Sequence, residues 1–158
     1  MLNDEREKYS MKNKIPLMLF GGIFLLAFDQ WLKWQARYVW IEPNMFGRFF
    51  GWSPFFNDGV AFSLPVPGLA TVIITTPIVF IVGYLAAREL FYPAPAASAR
   101  RLGALVLILS GAASNLFDRI VYHTTIDYLR IFTGVINVAD VLIVCGFVLY
   151  FLALRKQN

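Results

Sequence analysis

LGALVLILSGAASNLFDRIVY, residues 102–122, is the stretch that decides how this chain must fold. Its first eight residues carry no polar side chain, and its length is close to the roughly 20 residues that cross a hydrocarbon core. Asn115, Asp118 and Arg119 all fall in its second half. An ionised carboxylate at the centre of a membrane helix costs about 2.5–3.5 kcal/mol, and less towards the interface. The run is therefore expected to cross lipid with its polar residues gathered at one end. Asn115 and Arg119 are four apart and Asp118 is three from Asn115, so a helix places them close together. An amide inside an apolar run also requires a partner.

Three similar runs lie to either side, at 15–35, 69–90 and 135–154. The 158 residues suffice for one domain, and 58% of them are hydrophobic against 15% charged. A soluble domain of this size could not bury so much apolar surface, whereas lipid accepts it. The expected fold class is membrane all-α, a four-transmembrane-helix bundle occupying 15–154, preceded by a polar, solvated tail over 1–14. MKNK followed by an apolar run makes Met11 an alternative start. The first span has the basic head and short apolar core of a signal peptide, but no small-x-small cleavage site follows, so it reads as a retained helix. Pro77 is expected to kink the second span. The segment YPAPAASARR (92–101) reads as a short Pro/Ala loop. Residues 36–67 are too polar to span and too aromatic to sit free in water. They are expected to form a small interfacial subdomain, partly β, between helices 1 and 2, with 48–50 extended. Residues 123–134 read as an outer loop.

Net charge is +4. Nine of the Lys and Arg residues, Arg6, Lys8, Lys12, Lys14, Arg88, Arg100, Arg101, Arg155 and Lys156, fall on one side of the expected spans. The other five, Lys33, Arg37, Arg48, Arg119 and Arg130, fall on the opposite side. The positive-inside rule then makes both termini cytoplasmic and turns 36–67 and 123–134 outward. Topology accounts for the charge, and no nucleic-acid partner is needed. With one cysteine, Cys145, and one histidine, His123, no disulfide, cysteine-built metal site or histidine cluster is available. No metal or other cofactor is required, and the expected state is a monomer in membrane lipid. Cys145 reads as a small apolar residue of the fourth span, His123 as a non-catalytic loop residue, and Gly21, Gly22 and Gly111 as sites of close helix contact.

Asp29, Asp118, Asp127 and Asp140 all lie at outer helix ends or in the outer loop, as do Lys33, Asn115, Arg119 and Asn137. Asp29 and Lys33 are four apart and positioned to pair, while Asn137 and Asp140 are three apart on one face. Such a gathering of polar groups from separate helices at one depth is a candidate site.

The order of short blocks resembles the bacterial lipoprotein signal peptidase family, also called signal peptidase II. DQWLK (29–33), NDGVAFS (57–63), GAASNLFDR (111–119), the isolated Asp127 and INVAD (136–140) follow one another across 29–146. The resemblance implies a membrane aspartic endopeptidase of the bacterial inner membrane. Its substrates would be prolipoproteins bearing a diacylglyceryl-cysteine, cut on the N-terminal side of that cysteine. It implies Asp127 and Asp140 as the catalytic pair, Asn57, Asn115, Arg119 and Asn137 around them, and Asp29 and Lys33 in support of the fold or substrate. Several positions depart from the family pattern: Ser110 and Ser114 stand where glycine is typical, His123 stands for a glycine, and Ile136 for a phenylalanine. The thirteen residues from Asp127 to Asp140 make a shorter connection than is usual. That shortening motivates a second reading, an inactive relative that binds lipidated peptides. A third, a small proton-coupled transporter, predicts polar residues spread through the depth of the membrane, which the apolar inner halves of these spans do not offer.

Overall fold

The computed structural model describes residues 2–59, 68–92 and 98–155. Residues 60–63 of the 57–63 block and 93–97 of the expected Pro/Ala loop lie outside them. Among the described residues there are four helices: α1 (Leu2–Tyr38), α2 (Gly68–Phe91), α3 (Ser98–Tyr122) and α4 (Val138–Arg155). Each is long and apolar enough to cross a membrane. The protein is a multi-pass membrane protein. In α1 the apolar part is Lys14–Tyr38, and helical backbone continues through the polar residues before it, so the expected tail is an extension of the first helix. The fourth helix starts at Val138, three residues later than expected, because 134–136 pair as a strand. α2 runs through Pro77 as one helix.

α3 is the central helix. Half of its apolar window is buried, against 11–22% for the other three. It packs against α1, α2 and α4, which scarcely touch one another. Lipid tails are as apolar as leucine, so close packing rather than the hydrophobic effect holds such helices together. Small residues allow it. A side chain at Gly111 would run into the carbonyl of Ala139, and one at Gly146 would lie 2.8 Å from that of Ala104. On the α2 side, Val82 and Ala86 pack with Leu102, Leu105, Val106 and Ile108.

One end of the bundle is capped by an antiparallel sheet of β1 (Asn44–Phe46), β2 (Phe50–Asn57), β3 (Thr125–Ile131) and β4 (Gly134–Ile136), in that spatial order. The β structure expected between the first two helices is present, but β3 and the first residue of β4 come from the segment read as a loop after α3, and the rest of β4 from the start of the expected fourth span. Of the residues 48–50 expected to be extended, Arg48 and Phe49 fall in the β1–β2 turn over 47–49, with Gly47 at φ 71°, and Phe50 opens β2. β2 is a central strand and contains Pro54, which cannot donate to a ladder. The register shift between Trp52 and Phe55 accommodates it. Trp52 stacks on Tyr128 and packs edge-on to Trp40, and its indole donates to the Trp40 carbonyl at 2.7 Å. These contacts fasten the sheet to the end of α1.

Candidate active site

The site begins with the start of α4. Asn137 caps the helix: its Oδ1 accepts from the Asp140 amide at 2.9 Å, and its own amide donates back to Asp140 Oδ2 at 3.2 Å. This reciprocal arrangement is a capping box, with aspartate in the position usually held by glutamate. Asp140 is thereby fixed by local backbone geometry within the first turn of the helix.

Asp127 arrives by a different route. The β2–β3 register sets it opposite Phe55, with Asn57 as its diagonal neighbour on the same face. Asn57 Nδ2 donates to Asp127 Oδ2 at 3.1 Å, while its Oδ1 accepts from the Gly59 amide at 3.0 Å. Asn137 Nδ2 donates to Asp127 Oδ1 at 2.6 Å. Asn115, from α3, donates to Asp140 Oδ1 at 2.9 Å. Three asparagines thus hold two carboxylates, and Asn137 touches both. Each carboxylate oxygen accepts one of these bonds and keeps a second lone pair for water or a peptide. The short connection between the two aspartates is the β3–β4 hairpin, which turns the chain back so that both meet at Asn137.

Behind this pair lies a buried ionic cluster. Lys33 Nζ contacts Asp29 Oδ2 and Asp118 Oδ2, both at 2.8 Å, and all three side chains are at most 1% exposed. Lys33 also donates to Asn115 Oδ1 at 2.8 Å, which leaves the Asn115 Nδ2 directed at Asp140. Asp29 accepts from Ser114 at 2.6 Å, from the Tyr128 hydroxyl at 2.8 Å and from the Ala139 amide at 3.1 Å. One carboxylate of α1 therefore ties together α3, β3 and the start of α4. Asp118 accepts from Gln30 at 2.9 Å and from the Ile126 amide at 3.3 Å. Arg119 donates to Thr125 at 3.0 Å, and its charge acts on both Asp127 and Asp140.

Asp127 is 2% exposed. Burial, reinforced by the charge of Asp140, pushes its carboxyl from 3.8 up to about 7, against the lowering effect of the Asn57 and Asn137 bonds. The Asp127 carboxyl is thereby placed to hold a proton near neutral pH. Burial and the Asp29 charge also raise the Tyr128 phenol, which stays protonated and donates. Among the described residues, no group of three His, Cys, Asp or Glu side chains is disposed to hold a metal ion.

Of the residues singled out in the sequence, Asp127, Asp140, Asn57, Asn115 and Asn137 form one bonded cluster. Asp29 and Lys33 pair as expected but lie behind it. Gln30, Ser114 and Tyr128 join the network without having been singled out for it. The first two are visible within the DQWLK and GAASN blocks, one helical turn from Lys33 and Asp118. Tyr128 gives no sequence signal beyond its adjacency to Asp127.

Helices able to span a membrane, with two carboxylates clustered at one end, define the class to which membrane aspartic peptidases belong. The model of the signal peptidase (SPase) II family matches residues 22–156. Lipoprotein signal peptidases of Moorella thermoacetica and Janthinobacterium sp. are 33% and 31% identical to the chain. They cover 85% and 95% of it, over 89% and 94% of their own lengths. A third, from Mesorhizobium japonicum, is 31% identical over 77% of the chain and 74% of its own length. Two solved bacterial membrane enzymes share the fold, with TM-scores of 0.76 and 0.74 at 20% and 21% identity. They cover 90% and 91% of this chain, and 90% and 96% of their own. The chain belongs to the signal peptidase II family, whose members are aspartic peptidases.

Proposed function

We propose that this protein removes the signal peptide from prolipoproteins carrying a diacylglyceryl-cysteine, cutting on the N-terminal side of that cysteine, with Asp127 and Asp140 as its catalytic pair. The observation that carries this reading is the clustering of the two carboxylates around Asn137, with the Asp127 carboxyl raised to about 7 and so able to supply a proton near neutral pH. The ionised member takes a proton from water as the water oxygen attacks the scissile carbonyl carbon. The protonated member gives its proton to the carbonyl oxygen, forming a neutral gem-diol. Collapse restores the carbonyl, breaks the C–N bond and passes a proton to the departing amine. The pair titrates as a unit, so acid and base are roles rather than fixed residues. Asn57, Asn115 and Asn137 hold the carboxylates, and the positive charge of Arg119 favours negative charge developing between them. Asp29 and Lys33 support the site through Asn115 and the start of α4.

The Lys and Arg asymmetry supports an orientation in the bacterial inner membrane with both termini cytoplasmic and the sheet outside. In that setting the signal helix and acyl chains of a precursor stay in lipid while the bond to be cut reaches the sheet. The enzyme works as a monomer. The hairpin removes the motive for the inactive-relative reading, because the short connection leaves both carboxylates in one cluster. Reconstituted protein is expected to cut a diacylglyceryl-modified precursor at the bond before the cysteine and to spare the same precursor without the lipid. Mass spectrometry of the products reads the site. Equal cleavage of both precursors would remove lipid recognition from the proposal.

A further inference from the structure

At the end of the bundle away from Asp127 and Asp140, a groove of about 850 Å³ opens between α1 and α4. α3 forms its floor, since α1 and α4 scarcely meet. The walls are apolar and the residues small where they meet the floor, with Gly103 and Ala104 on α3 and Gly22 on the α1 wall. Along α1 the groove runs from Lys14 to Leu25, a rise of about 17 Å, close to one leaflet of a ~30 Å hydrocarbon core. Three cations, Lys14, Arg100 and Arg155, line the groove. Each comes from a different helix: Lys14 opens the apolar part of α1, and Arg100 and Arg155 lie at the ends of α3 and α4 remote from the aspartates. All three are exposed, and none makes an ion pair with a described residue. Among the described residues, no acidic one lines the groove.

We infer that this groove binds one anionic phospholipid of the leaflet opposite the active site, the cytoplasmic leaflet in the orientation proposed above. One acyl chain lies in the cleft and the phosphate sits among Lys14, Arg100 and Arg155. The charge pattern selects this occupant. A bare apolar cleft would accept any acyl chain, but a cationic mouth favours a headgroup with net negative charge. The same mouth disfavours the signal helix of a precursor, because a signal peptide carries its own positive charge just before its apolar core. A lipid seated here also fills the gap between two helices that scarcely meet, so its binding should stabilise the bundle. The inference is independent of the proteolytic reading, since it concerns the other end of the molecule.

Native mass spectrometry of the purified full chain released from detergent, with dioleoylphosphatidylglycerol or dioleoylphosphatidylcholine added, tests it. The parent is expected to retain one phosphatidylglycerol about tenfold or more in preference to phosphatidylcholine, and to melt at higher temperature with it. The triple variant Lys14→Gln, Arg100→Gln, Arg155→Gln should lose that preference. Gly103→Leu, which keeps every charge but fills the cleft, should lose retention of both lipids. Equal retention of the two lipids by the parent overturns the inference without needing any variant. So does a preference unchanged in the triple variant, or displacement of the bound lipid by a lipid-modified precursor. Cleavage of a precursor in phosphatidylcholine bilayers reports on the proteolytic reading separately, and should proceed in all three proteins.

Discussion

Asp127 and Asp140 reach one another by unlike means, a strand register and a helix cap, and each has its own sensitivity. The raised carboxyl of Asp127 fixes the pH behaviour. Above about pH 7 the pair loses the proton needed at the carbonyl oxygen, so kcat should fall along an alkaline limb with an apparent pKa near 7. A pH–rate profile on lipidated precursor checks this. The same shift links to stability. An unfolded aspartate titrates near 3.9, so between about pH 4 and 7 the folded protein keeps a proton that the unfolded chain has released. This group favours the fold at the acid end of that window, and the advantage is lost as pH rises through about 7. Asp127→Asn should flatten this dependence in thermal melts at pH 5 and pH 8. Lys33 is a contrasting case, because its removal leaves Asp29 and Asp118 buried without their cation. Lys33→Met should destabilise by about 3–5 kcal/mol, read by denaturation in detergent, and Asp29→Asn in the same chain should restore part of the loss.

At the scale of elements, the N-terminus of α4 carries the most consequence. Asn137 is at once the cap of the helix and the bridge between the carboxylates. Asn137→Ala should cost about 1 kcal/mol as a lost cap, and kcat should fall far more steeply than stability. The end of α3 behaves differently. His123 closes that helix with φ 61°, and its amide bonds to the Arg119 carbonyl at 3.1 Å. The left-handed backbone explains why glycine suits this position in the family pattern. His123→Gly should raise stability by about 1 kcal/mol and leave cleavage unchanged, a result that comparison of melts and rates can check.

Whole-molecule architecture was largely legible in the sequence, because four apolar runs admit few folds and their polar residues fell at one end. Boundaries were less so. The polar residues before Lys14 extend α1 without changing where lipid begins. The strands of 125–131 and 134–136 were hidden because the first pairs with β2, about seventy residues earlier, and the second, only three residues long, pairs with the first. Asn137-x-x-Asp140 carried a capping signal that fixes the start of α4, but spacing alone shows only a shared face. The buried roles of Gln30, Ser114 and Tyr128 depend on three elements meeting, and no local pattern encodes that.

The central claim is that the two carboxylates perform the cleavage together. Its most direct test compares purified parent, Asp127→Asn and Asp140→Asn on one synthetic diacylglyceryl-cysteine precursor, with each protein's folding verified by its melt. Cleavage by the parent and a loss of about a thousandfold or more in each variant is the expected result. Turnover retained in either folded variant would contradict the account.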